Sequence, residues 1–267
     1  MYISYMGYRP ERTRLLILPL LLALLFTSLS LPAAAQEACL RLGTDEWPPY
    51  EYTDGEAILG MSTDIVQRVL ERSNICVESL EVYPWKRGLR LLQEGSLDLL
   101  FTADYRPSRL AWAHYPDESI VDSGWVVYVR RDRKDLAQAK GLEDLQGQTL
   151  GTVIGFGYPT QLVLFLSGEV RNSPVSSDEL NFRRLEAGRI DALVCDRYNG
   201  AHLARQLKLD PIVRPLPEEI APSRLYPLFS RKTVPPELVQ RFTATLRAFK
   251  KSSEYQKLIQ RWLSQSP

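Results

Sequence analysis

Along most of the chain, apolar positions fall into short continuous runs separated by stretches of helical period. Cys39-Leu-Arg-Leu-Gly43 reads as a strand, Ser62 to Ser73 as a helix, and Cys76-Val-Glu-Ser-Leu-Glu-Val82 as a second strand. That order predicts a βαβ unit with parallel strands. Gly124-Trp-Val-Val-Tyr-Val-Arg130 is a further long strand, followed by the charged stretch Arg131 to Lys140, and Leu145-Gln-Gly-Gln-Thr-Leu-Gly-Thr-Val-Ile154 begins a fresh one. Beyond Pro235-Pro236, a helix start signal, Leu238, Phe242, Leu246, Phe249, Leu258, Ile259 and Trp262 recur at mostly helical spacing and predict two helices covering an apolar face. Alternation of this kind predicts α/β sheets with right-handed crossovers.

Two stretches share one plan. Leu91-Leu-Gln-Glu-Gly95-Ser-Leu-Asp98-Leu-Leu-Phe101 and Arg184-Leu-Glu-Ala-Gly188-Arg-Ile-Asp191-Ala-Leu-Val194 both read as a helix end, a glycine suited to the left-handed C-cap, two residues, an aspartate and an apolar strand. A second acid follows each, Asp104 and Asp196. Such junctions recur in many α/β proteins; the sharper reading is two lobes of like construction, with the chain crossing between them near Tyr128.

The first 35 residues differ in kind. Arg9, Arg12 and Arg14 precede the apolar stretch Leu15 to Leu31, which Pro19 interrupts, and Ala33-Ala34-Ala35 offers a small-residue cleavage site before Gln36. This is the pattern of a cleaved export signal, residues 1–35. The alternative is an uncleaved anchor, since the stretch is near the lower limit for a spanning helix; Pro19 and the alanine triplet favour cleavage. Gln36-Glu37-Ala38 before Cys39 is no lipobox.

Composition adds limits. A chain that is 45% hydrophobic and 24% charged buries a real core. Its net charge of +1 gives no basic field for nucleic acid or an anionic membrane. In an oxidising compartment Cys39 and Cys76, opening neighbouring parallel strands, come within disulfide reach, whereas Cys195 in Ile190-Asp-Ala-Leu-Val-Cys195 reads as a buried free thiol. His114 and His202 lie far apart without ligand spacing, and there is no GxSxG or P-loop, so neither a metal nor a cofactor is expected.

After the first strand comes Asp45-Glu-Trp-Pro-Pro-Tyr-Glu-Tyr52, then Gly60-Met-Ser-Thr-Asp64-Ile, Gly95-Ser-Leu-Asp98, Arg109 and Tyr115-Pro116. Further on lie Leu145-Gln-Gly147, Gly155-Phe-Gly157, Gly188-Arg-Ile-Asp191, Asp196 and a helix ending in Trp262. In this order, behind an export signal, they resemble solute-binding protein family 3, the periplasmic binding proteins of the polar amino-acid type. The resemblance implies a two-lobe type II fold, residues 36–127 with 230–267 forming one lobe and 128–229 the other, with the ligand in the cleft between them beyond the carboxyl ends of the strands.

By match to the family, Trp47 and Trp85 are aromatic walls, with Tyr50 packing below Trp47. Arg109 takes a carboxylate through its planar fork, and Asp196 pairs with an α-ammonium or caps a helix. Gly155, Phe156, Gly157 and Tyr158 form the turn whose N–H groups complete the anion site. The chain departs from the family in two places. Phe156 stands where many members have a threonine after Gly155, and Thr102-Ala-Asp-Tyr-Arg106 replaces a hydroxyl-rich turn, so that Thr102 and Asp104 join the site and Asp104 competes for Arg109. Lys86 and Arg87 read as surface charges.

The resemblance implies a monomeric periplasmic protein capturing a small zwitterion for an ABC importer. A sensor presenting its ligand state to a membrane receptor is the second reading. A third is an enzyme like cyclohexadienyl dehydratase, with Asp104 or Glu46 protonating a leaving hydroxyl; no nucleophile-base pair is visible, and a binding protein is expected.

Overall fold

The computed structural model describes residues 1–5, 7, 39–168 and 170–264; the expected export signal falls almost wholly on residues outside that set. The chain runs β1 (Leu40–Thr44), a hairpin of β2 (Tyr52–Asp54) and β3 (Ala57–Leu59), α1 (Met61–Arg72), β4 (Val77–Val82), α2 (Trp85–Glu94), β5 (Leu99–Asp104), β6 (Ala113–His114) and β7 (Val121–Arg130). It continues through β8 (Thr149–Val153), α3 (Thr160–Leu166), β9 (Arg171–Val175), α4 (Asp178–Glu186), β10 (Ala192–Asp196), α5 (Arg197–Gln206), β11 (Val213–Pro215) and β12 (Ala221–Ser230), ending with α6 (Pro236–Lys250) and α7 (Ser253–Ser264).

Helical spacing decides which faces are buried. In α1 it is Met61, Ile65, Val66, Val69 and Leu70, and in α6 Leu238, Val239, Phe242, Leu246 and Phe249, that turn inward onto Leu42, Leu99 and Phe101 of the sheet. Arg68 and Arg72 of α1 both reach Glu254 of α7, tying the rim of this layer.

The main sheet has the order β4-β1-β5-β12-β7-β10-β8-β9. At one end β4, β1 and β5 are parallel; at the other, so are β10, β8 and β9. Between them the ten-residue strands β7 and β12 run antiparallel and serve both ends. Ala221 to Leu225 of β12 pair with Trp125 to Val121 of β7, the rest of β12 turns to β5, and Trp125 to Val129 of β7 pair with β10. The buried side chains divide accordingly: residues 40–121 and 225–258 supply one group of clusters, residues 125–220 the other. The change of sides thus falls a few residues before Tyr128, where the sequence placed it, because β7 extends back to Val121. The strand expected from Leu145 begins only at Thr149, after a 3-10 turn at Leu142–Leu145 and Gly147 at φ 72.

The repeated sequence plan has a physical basis. Gly95 (φ 82) and Gly188 (φ 66) each end a helix in the left-handed region. The aspartate three residues later then accepts a backbone N–H from the first strand of its own half, Asp98 from Arg41 (2.8 Å) and Asp191 from Thr149 (2.7 Å). Each acid therefore locks a helix-to-strand return beside the parallel strand it joins.

Cys39 and Cys76, immediately before the paired residues Leu40 and Val77, form a disulfide across a sequence separation of 37. Closing a loop of that length stabilises the fold by about 4 kcal/mol in the chain-entropy description. Cys195 is buried and free, its thiol donating to Asn199 Oδ1 (3.2 Å).

Candidate functional site

The segment after β1 is fixed from several sides. Trp47 N–H donates to the Glu51 carbonyl (2.8 Å) and Tyr50 N–H to the Trp47 carbonyl (2.9 Å), closing a tight turn. The first N–H groups of α1, which have no partner within the helix, donate instead to this turn: Met61 to Pro49 O and Ser62 to Tyr50 O, both at 2.8 Å. Tyr50 is fully buried with its ring centroid 4.7 Å from that of Trp47. Its hydroxyl donates to Asp196 Oδ1 (2.6 Å), while Asn199 Nδ2 donates to the Pro48 carbonyl (2.6 Å). Trp47 is thus carried on a turn with little freedom left to lose on binding.

Beyond the carboxyl ends of β1, β5 and β8 opens a cleft of about 260 Å³. Trp47, Trp85, Trp125 and Phe156 wall it, and Trp47 and Phe156 face one another edge to face with centroids 6.4 Å apart. Asp45, Glu46, Lys86, Asp104 and Arg106 bring charges of both signs, and Thr102, Ile154, Gly155, Gly157, Ser223 and Leu225 complete the lining.

Of the residues expected from sequence, Trp47, Trp85, Thr102, Asp104, Gly155, Phe156 and Gly157 meet in this cleft; Arg109, Tyr158 and Asp196 do not. Arg109 is buried beneath it, its Nη1 donating to the Asp104 carbonyl (2.8 Å) and Oδ1 (3.0 Å), with its guanidinium 5.8 Å from the Trp85 ring. It props the acid and the indole from below. Tyr158 packs on Trp125 at 5.0 Å, its hydroxyl accepting from Val153 N–H (2.6 Å). Asp196 is 1% exposed and caps α5, its Oδ1 accepting from the N–H groups of Tyr198 (3.0 Å) and Asn199 (3.2 Å) as well as from Tyr50. The capping role weighed from sequence is the one its geometry displays.

Sequence reasoning did not place Asp45, Arg106, Trp125, Ile154, Ser223 or Leu225 here, and it set Lys86 aside. Asp45 and Arg106 are end residues of two segments already singled out, Asp45 to Tyr52 and Thr102 to Arg106. Trp125, Ser223 and Leu225 lie on the two long shared strands, and only tertiary pairing brings those to the cleft.

The acids behave differently from one another. Asp104 is held on both oxygens, by Arg109 at Oδ1 and by Arg106 Nε at Oδ2 (2.7 Å). Glu51 is fully buried behind the cleft, accepting from the Thr102 hydroxyl (2.6 Å); burial, and then the neighbouring Asp45, hold its proton on well above the usual carboxylate range. Burial likewise raises Asp45 to about 6, against a hydrogen bond with Glu51 that pulls the other way. Thr102 sits at φ 69, a conformation that costs a residue with a Cβ about 1–2 kcal/mol.

The pattern of the bacterial extracellular solute-binding proteins, family 3, matches residues 40–265. The chain belongs to this family. Its fold is that of the type II periplasmic binding proteins, as solved structures show. An ancestral arginine-binding protein bound to arginine aligns with a TM-score of 0.68 at 20% identity, over 84% of this chain and 97% of the other. A histidine kinase sensor domain with similarity to periplasmic binding proteins gives 0.70 at 22% identity, over 85% and 97%. The substrate binding protein of an amino acid ABC transporter gives 0.63 at 22%, over 85% and 100%. No curated protein matches the sequence. Among the described residues no helix of this family member is long and apolar enough to cross a membrane.

Proposed function

We propose that this protein is exported by a cleaved signal at residues 1–35 and works in the periplasm as a monomer that captures a small zwitterionic ligand, an amino acid or a related compound, for an ABC importer. The observation that carries the reading is the cleft itself, where four aromatic rings and groups of both charges converge from strands and loops of both halves of the sheet. In this reading the two lobes, expected at residues 36–127 with 230–267 and at 128–229, divide in their cores a few residues earlier, between Val121 and Trp125 and between Ile220 and Leu225, and β7 and β12 are the hinge about which they close. The likeness to an amino acid transporter's binding protein supports delivery. The likeness to a kinase sensor domain supports a second reading, in which the same capture event is reported to a membrane receptor. Neither reading calls for a cofactor or nucleic acid. Catalysis finds little support, since Asp104 is committed to two arginines and Glu46 accepts from Thr53 N–H (3.1 Å).

The test is a thermal-shift screen of the mature protein, refolded to remove carried-over ligand, against amino acids, polyamines, small organic acids and prephenate at pH 7.5 and 5.0. A ligand at about a hundred times its dissociation constant adds roughly 2.7 kcal/mol of stability. Asp45 lines the cleft, and burial pushes its pKa up to about 6. A ligand cation favours its ionised form, so affinity is greatest above that range and falls as pH drops through it. A larger shift at pH 5.0, or none with any compound, contradicts the reading.

A further inference from the structure

The cleft is rich in ring faces and poor in carboxylate oxygens that are not already in use. We propose that the cationic end of its ligand is a methylated ammonium, a quaternary nitrogen with no N–H to donate, held against the rings of Trp47, Trp85, Trp125 and Phe156. The inference rests on the binding reading above and names the class of cation that the cleft selects.

Two sets of observations carry it, and the first concerns acceptors. A primary ammonium that leaves water needs partners for its N–H groups, and a donor left unmet is costly, whereas a quaternary nitrogen has none to satisfy. Asp104 has both oxygens in ion pairs, with Arg106 at 2.7 Å and Arg109 at 3.0 Å. Glu46 accepts from Thr53 N–H (3.1 Å), and the Thr102 hydroxyl donates to Glu51 (2.6 Å). Asp196, 1% exposed, accepts from Tyr50 and from two N–H groups of α5, and it lies outside the lining. Ser223 adds a single hydroxyl. Asp45, bonded to Glu51, is left to supply charge, which a methylated cation feels as fully as a primary one.

The second set concerns the rings. Trp47 and Phe156 meet at an interplanar angle of 71°, so together they make a corner and not a parallel slot. A slot suits a flat group; a corner continued by Trp85 and Trp125 suits a tetrahedral one, whose methyl groups carry positive charge outward on every side. Three of the rings also have firm neighbours. Trp47 packs on Tyr50 at 4.7 Å and Trp125 on Tyr158 at 5.0 Å, and the buried Arg109 guanidinium lies 5.8 Å from the Trp85 centroid. Rings held in this way offer the negative face of the π system to a cation and lose little freedom on binding it.

The experiment measures, by calorimetry on the mature protein, the affinities of glycine betaine beside glycine and of choline beside ethanolamine, with 3,3-dimethylbutan-1-ol as the uncharged match to choline in shape. Wild type is expected to bind each trimethylated compound about tenfold more tightly than its primary amine, and choline about tenfold more tightly than the alcohol. Phe156→Leu, at a half-exposed position, should reduce the first preference to within about threefold. A second arm leaves every side chain's shape in place. Biosynthetic replacement of tryptophan by 5-fluorotryptophan makes the ring faces less negative, so it should weaken choline several-fold and leave the alcohol unchanged. Equal or tighter binding of the primary amines overturns the inference, as does equal binding of choline and the alcohol, or a choline affinity that fluorination does not move. So does an amino acid captured from the thermal-shift screen while neither trimethylated compound binds, a result that leaves the binding reading standing. Wild type that binds none of these compounds and nothing in that screen contradicts the binding reading itself.

Discussion

Replacing Gly60 with alanine is expected to lower the unfolding free energy by about 4 kcal/mol and to abolish ligand capture in whatever remains folded. Gly60 stands at φ 135 and ψ 166, between β3 and α1. A side chain there meets strain in a region open essentially to glycine alone, of order 1–3 kcal/mol. It also meets backbone: the new Cβ would lie 2.1 Å from Tyr50 O, 2.5 Å from Tyr50 C and 2.7 Å from Glu51 Cα. No rotamer relieves contact with a main chain, so the turn must move away from α1. Moving it breaks the bonds from Met61 and Ser62 and displaces Trp47 from the cleft wall. Gly55 is the control, because at φ 62 it has nothing within 4 Å of a built Cβ, and its replacement by alanine should cost only the left-handed backbone term of about 1–2 kcal/mol. Urea unfolding of the two variants measures the contrast; similar losses would show that the close approach of Gly60 to Tyr50 is unimportant.

Asp196→Ala should likewise act on the fold far more than on the ligand. Losing the cap of α5 costs about 1 kcal/mol. The buried Tyr50 hydroxyl is left without an acceptor, a further 1–3 kcal/mol, so a total near 3 kcal/mol is expected. Burial raises the pKa of Asp196, and hydrogen bonds from Tyr50 and the α5 N–H groups act against that rise. Asp196→Asn keeps an acceptor and should lose about half as much. Affinity of folded Asp196→Ala measured by calorimetry should change by less than about threefold, well short of the 2–5 kcal/mol expected when one partner of a buried ion pair with the ligand is removed. A loss of that larger size, with stability intact, would return Asp196 to the role that family resemblance assigns it.

Much of this architecture is legible in the sequence because it rests on local rules. The apolar periods mark the helices, Gly95 and Gly188 mark their ends, and the βαβ reading places Cys39 beside Cys76, where the disulfide forms. The aromatic wall at Trp47 is legible for the same reason, since a proline pair after a strand stiffens the turn that carries it. What escapes the sequence is set by distant partners. Nothing near Asp196 announces that Tyr50, 146 residues earlier, will take its carboxylate. Arg106 and Arg109 differ by one turn of a 3-10 segment, and which of them faces the cleft follows from where Asp104 and Gly157 stand. Trp125, Ser223 and Leu225 reach the site only through the antiparallel pairing of β7 with β12.

The central claim is that the aromatic-walled cleft is where a small ligand is captured, and calorimetric titration of the strongest thermal-shift ligand into wild type and Trp47→Ala tests it most directly. The account expects one site per chain in wild type and an affinity about thirtyfold weaker in the variant, the equivalent of about 2 kcal/mol for a desolvated indole contact. An unchanged affinity in a folded Trp47→Ala would place the ligand elsewhere.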